Sequence, residues 1–125
     1  MRHILFAAAA LATVLPGVAL AHPKLLSATP AANATVAKPS KLTLTFSEKL
    51  LAPMSNVELV MTGMPGMANH APMPIKGFKT GVEGDGKTLA VTLPRALPAG
   101  SYDLTWHVVA ADQHKVQGQY SFSVK

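Results

Sequence analysis

Apolar and polar residues alternate through most of the chain beyond Pro39. Leu42, Leu44 and Phe46 point one way and Thr43, Thr45 and Ser47 the other, the pattern of a half-buried strand. Similar runs cover Val57 to Met61, Lys87 to Leu93, Ser101 to Ala110 and Gln117 to Lys125. Weaker ones lie in KLLSATP and in the stretch from Ile75. Turn formers separate them: Pro30, Asn33, Pro39, Pro53, Gly84-Asp85-Gly86, Pro98 and Gly100. About seven short strands at this spacing predict an all-β domain, either an antiparallel sandwich or a Greek-key barrel. In the strongest run Tyr102, Leu104, Trp106 and Val108 share a face. That alternation puts Trp106 at the centre of the core and turns His107 outward or towards a second layer, as a structural residue.

The first 21 residues read differently. MRHILFAAAALATVLPGVALA has a basic start at Arg2, an apolar run from Ile4 to Leu15, and Ala19-Leu20-Ala21 after a Pro-Gly break. That order predicts a secretory signal peptide cleaved after Ala21, leaving a domain of residues 22–125. The apolar run is too short to span a bilayer, which takes about 20 residues. The reading is an exported, periplasmic chain with no membrane insertion.

Composition narrows the function. A chain of 125 residues excludes a multi-domain enzyme, and 49% hydrophobic against 14% charged residues excludes disorder. There are 11 Lys+Arg against 6 Asp+Glu, but the lysines are scattered singly. No basic cluster marks a nucleic-acid surface. The chain has no cysteine. An exported domain without disulfides stands on its core alone, and it lacks the thiol that a redox metal would oxidise.

One segment breaks the alternation. From Met61 to Pro74 the chain reads MTGMPGMANHAPMP, and its prolines and glycines predict a loop. Met61, Met64, Met67, His70 and Met73 recur there at every third residue. Methionine commonly fills cores, but a Pro/Gly-rich loop is a poor place to bury several long side chains. A hydrophobic partner patch is one alternative. The sharper reading is a soft-metal site, because thioethers and an imidazole suit Cu(I). Three or four of these five donors would bind one ion. An extended loop would hold them about 9 Å apart per three-residue step, so the loop has to curl.

Harder donors lie elsewhere. Cleavage after Ala21 frees the α-amine of His22, which with its own ring chelates a metal through two nitrogens. Pro23 has no backbone N–H to serve as a third donor, so other parts of the chain must complete the site. Asp112 and His114, in AADQHKVQG, fall in a predicted turn after the Trp106 strand. Their spacing lets both side chains point the same way, with the carboxylate either a ligand or a support for the ring. Glu48, in TFSEKL, is a further candidate, with an ordinary surface glutamate as its equal alternative. Nitrogen donors of this kind suit Cu(II).

These motifs together resemble the CopC/PcoC family of periplasmic copper-binding proteins. HPKL after the signal peptide, then FSEKL, VMTGMPGM with its following His and PM, a Trp-bearing strand, and D-x-H before V-x-G carry the likeness across the whole mature chain. The resemblance implies a small cupredoxin-like, immunoglobulin-like Greek-key β-sandwich or barrel with two copper sites at opposite ends. It implies a Cu(II) site of His22 with His114 and Asp112 or Glu48. It also implies a Cu(I) site drawn from Met61, Met64, Met67, Met73 and His70. The implied role is carrying copper in resistance or homeostasis, with an inner-membrane copper transporter and a periplasmic multicopper oxidase as partners.

The main alternative is a copper-dependent oxidative enzyme using an N-terminal histidine brace. Such enzymes need a broad surface to hold a polymer, and the few aromatics here sit on core-facing strand positions. The chain is therefore expected not to be an enzyme. A metal-free adhesin-like module is a further alternative, and it leaves His22 and the methionines unexplained.

Overall fold

The computed structural model describes residues 23–67 and 70–125; the expected signal peptide and His22 lie outside them. The alternating runs become strands: β1 (Leu25–Thr29), β2 (Thr35–Val36), β3 (Lys41–Phe46), β4 (Asn56–Gly63), β5 (Met73–Pro74), β6 (Lys79–Val82), β7 (Thr88–Thr92), β8 (Gly100–Val109) and β9 (Lys115–Val124). One 3-10 turn, Ala52–Met54, joins β3 to β4. The seven longer strands match the seven runs of the sequence. No described helix is long and apolar enough to cross a membrane.

The strands form two sheets, ordered β1-β3-β7-β6 and β2-β9-β8-β4-β5. All pairings are antiparallel except β2 with β9. The chain crosses between sheets after β1, β2, β3, β5 and β7, so neither sheet is a simple meander. Two separate sheets make this the sandwich rather than the closed barrel.

Inward-facing residues of both sheets form one core: Leu42, Leu44 and Phe46 from β3, Leu89 and Val91 from β7, and Leu59, Tyr102, Leu104 and Phe122 from the facing sheet. Tyr102 and Tyr120 bring hydroxyls into this apolar layer. Each hydroxyl donates to a backbone oxygen, Pro98 at 2.6 Å and Pro30 at 2.9 Å. Burial pushes both phenols up to about 12, so neither ionises near neutrality.

Trp106 departs from expectation. It shares the inward face but is only partly buried, against the edge of the core, and Tyr102 rather than Trp106 is fully enclosed. Trp106 lies near the end of the sandwich, opposite Gly118 in the β8–β9 register. A Cβ on Gly118 would overlap the indole, so the ring rests across β9 where a side chain is missing.

Candidate metal centres

The turn between β8 and β9 gathers the first donors. Ala110 N–H donates to the His114 carbonyl at 2.9 Å and Gln113 N–H to Ala110 at 2.8 Å, with Gln113 in the left-handed region at φ 72°. Within this tight turn Asp112 closes on His114 twice. Oδ1 accepts the His114 backbone N–H at 3.1 Å, and Oδ2 lies 2.7 Å from His114 Nδ1. A carboxylate oxygen accepts, so Nδ1 carries the proton and the neutral ring keeps its lone pair on Nε2. The His114 side-chain bond, then its backbone N–H, holds the Asp112 carboxyl below the usual carboxylate range.

Glu48 reaches the same end by backbone pairing. Leu50 bridges Ala110, Leu51 N–H donates to Val109 O, and Ala111 N–H donates to Lys49 O, each bond at 2.8 Å. This antiparallel contact sets Glu48 beside the Asp112 turn. Glu48 is half-buried. The described N-terminus arrives there too: Lys24 N–H donates to Ser47 Oγ at 2.9 Å, and Ser47 N–H donates back to Lys24 O at 2.9 Å. Pro23 is buried. Among the described residues no three His, Asp or Glu side chains group closely enough to hold a metal.

The methionines occupy the other end. β4 runs on to Gly63, past the point where the sequence predicts a loop, and carries Met61 into the core at 4% exposure. The reason is in the alternation itself, since Met61 continues the inward face of Val57 and Leu59. Met61 is thus buried, although its register partner across β4 and β5 is Met73 of the same motif. The chain then turns at Met64-Pro65-Gly66-Met67. Met64 N–H donates to Met67 O at 3.1 Å and Met67 N–H to Met64 O at 2.9 Å. Proline second and glycine third, with Gly66 at φ +81°, are the signature of a type II turn. The doubly bonded pair sets the two Cα atoms about 5.5 Å apart, with both side chains on one side. This is the curl that the spacing demands.

Met67 is 55% and Met73 48% exposed, while Met64 is partly buried against the core. Met73 returns in β5, opposite Met61. His70 Nδ1 lies 2.7 Å from the Ala71 carbonyl, which leaves the lone pair of the neutral ring on Nε2. That Nε2 is buried and has no hydrogen-bond partner. An orphaned buried nitrogen in a loop of thioethers fits a soft cation. The ends are well separated: β8 runs from Ser101 beside Gly63 to Val109 beside the Asp112 turn, about 30 Å at strand rise.

Sequence reasoning passed over one group. His107 Nε2 is also buried without a hydrogen bond, and its only signal in the sequence is its outward place on an alternating strand.

Known proteins resemble this chain in sequence and fold. A family model described as the CopC domain matches residues 25–125. Copper resistance protein C of Pseudomonas syringae pv. tomato is 46% identical over 121 residues, covering 97% of this chain and 92% of the relative. Copper resistance protein C of Escherichia coli is 43% identical over 107 residues, 86% of this chain and 84% of the relative. The crystal structure of PcoC, a methionine-rich copper resistance protein from Escherichia coli, superposes with a TM-score of 0.75 at 41% identity. That match covers 84% of this chain and all of PcoC. These relatives are copper resistance proteins, not enzymes. A sandwich with a carboxylate-held histidine at one end and a methionine turn at the other, matched along residues 25–125, belongs to the CopC family.

Proposed function

We propose that this chain is a periplasmic copper carrier acting in copper resistance or homeostasis, with a Cu(I) site at the methionine end and a Cu(II) site at the opposite end. The observation that carries this reading is the Met64–Met67 turn, whose paired backbone brings the two methionines together in the loop that bears the orphaned Nε2 of His70. Met64, Met67, Met73 and His70 form the Cu(I) donor set. Met61, buried in the core opposite Met73, is the least accessible of the five candidate donors.

At the far end His22, freed by signal-peptide cleavage, contributes its amine and ring, and His114 contributes Nε2. Asp112 holds the His114 ring through Nδ1, a support that fixes tautomer and direction and raises the basicity of the donor. Glu48 is an outlying carboxylate of the same end. Copper is cargo here. Each site prefers one oxidation state, so oxidation of bound Cu(I) or reduction of bound Cu(II) releases the ion from its site. Ends about 30 Å apart favour transfer between molecules over transfer within one. An inner-membrane copper transporter and a multicopper oxidase fit as recipients.

Copper titration of the chain beginning at His22 tests this, with EPR for Cu(II) and mass spectrometry for Cu(I). One ion of each kind per chain is expected. A single residue added before His22 should weaken Cu(II) alone. Equal binding by both forms would remove His22 as a chelator, and no binding by either would overturn the proposal.

A further inference from the structure

The outer face of the five-stranded sheet carries another pair of donors, on the side of the Asp112 end but outside the donors described there. His107 stands in a row with Asn56 on β4 and Gln117 on β9, on the face opposite the core-facing Val108. Its ring is 38% exposed, yet Nε2 is buried and unpartnered. The nearest carboxylate oxygen, Glu58 Oε1, is 3.7 Å away, beyond hydrogen-bond reach. An imidazole nitrogen withdrawn from water without a partner costs free energy that a bound group would recover.

A cavity of about 520 Å³ opens here, lined by His107, Val109, Lys115, Gln117 and Met54. Met54 ends the 3-10 turn and is 52% exposed. Ser55, its neighbour, is anchored by accepting the Val109 N–H at 3.1 Å, which fixes the turn against β8. Met54 is thus held at a cavity wall, outside the buried core. Neither it nor His107 belongs to the two donor sets already described.

We propose that Met54 and His107 form a third soft-metal site, taking a monovalent ion such as Cu(I) or Ag(I) between the thioether sulfur and Nε2. Lys115 lines the same cavity and offsets the single carboxylate of Glu58 beside the imidazole, which leaves little net negative charge to draw a hard divalent ion. Selection rests on the softness of the sulfur. His107 is three residues from Ala110 and six from Ser101, placing the site about 10 Å from the Asp112 end and about 20 Å from the methionine end. It is a stopping place on the face that joins them.

The test uses the chain beginning at His22, labelled with carbon-13 in the methionine methyl groups and titrated with Ag(I) as a redox-inert probe. The Met54 methyl and the His107 ring protons should shift together, at a different equivalent from the Met64, Met67 and Met73 methyls. Met54→Leu should abolish the His107 shift and lower bound Ag(I) by one ion per chain in native mass spectrometry, with the loop methyls responding as before. The proposal is overturned if the Met54 and His107 signals stay still after the loop methyls have saturated. It is equally overturned if Met54→Leu leaves the stoichiometry intact. Failure of the loop site would show separately, as loop methyls that do not move.

Discussion

Trp106 and Gly118 face each other across β8 and β9, and the indole occupies the space a Gly118 side chain would take. The ring also meets Phe46 edge-on, with centroids 6.1 Å apart, and tilts against Tyr120 at the same distance. Gly118 thereby ties the aromatic end of the core to the strand that starts beside His114.

Gly118→Ala should push the indole off β9. Overpacking of this kind costs about 1–3 kcal/mol. A urea midpoint that falls, with a shift in Trp106 fluorescence, is the expected result. An unchanged midpoint would mean that the ring has another place to go.

Ser55 is 3% exposed, and its hydroxyl accepts the Val109 N–H. Ser55→Ala leaves that donor without a partner, a loss of about 1–3 kcal/mol. Thermal melts of the metal-free protein check it. Hydrogen exchange at the Val109 amide should quicken in the same variant.

The two ends of the methionine motif should separate in mutants. Met67→Leu should leave the melting temperature unchanged while weakening Cu(I) binding by at least about tenfold. Met61→Leu should do the reverse, keeping Cu(I) affinity and costing under about 1.5 kcal/mol of stability. If Met61→Leu abolishes Cu(I) binding, Met61 is a ligand and the core position is not its whole role.

Asp112 supplies a pH test. Its carboxyl is held below the ordinary value of 3.8, so it stays ionised through the range where carboxylates usually titrate. A depressed folded value means its stabilising bond is present above the unfolded value and lost as pH falls through the lower folded one. Carbon-13 NMR of the Asp112 side chain should give a midpoint under 3.8, and His114→Ala should raise it towards that value. A midpoint at or above 3.8 in the parent chain would mean the His114 bond is not formed in solution.

Much of the fold was legible because one face of each long strand is buried. Leu42, Leu44 and Phe46 must alternate with polar residues, and period alone reveals them. β2 and β5 have two residues each, too few to show a period. Met61 misleads for a related reason: it ends an alternating run and begins a methionine run, and composition outweighs period. Trp106 misleads because its partner is a glycine twelve residues on, and nothing local announces the pairing. The Asp112–His114 spacing does carry its geometry, since a carboxylate two residues before a histidine in a turn can reach both backbone and ring. The curl at Met64 and Met67 is equally local, written in Pro65-Gly66.

That curl has a bearing on speed. The hydrogen bonds joining Met64 to Met67 belong to the folded backbone, so the two residues are already paired when an ion arrives and only their side chains have to turn. Met73 is likewise held, by the pairing of β5 with β4. Capture then starts from a backbone already set on both flanks of the loop, so the ordering left to the ion is mainly that of side chains.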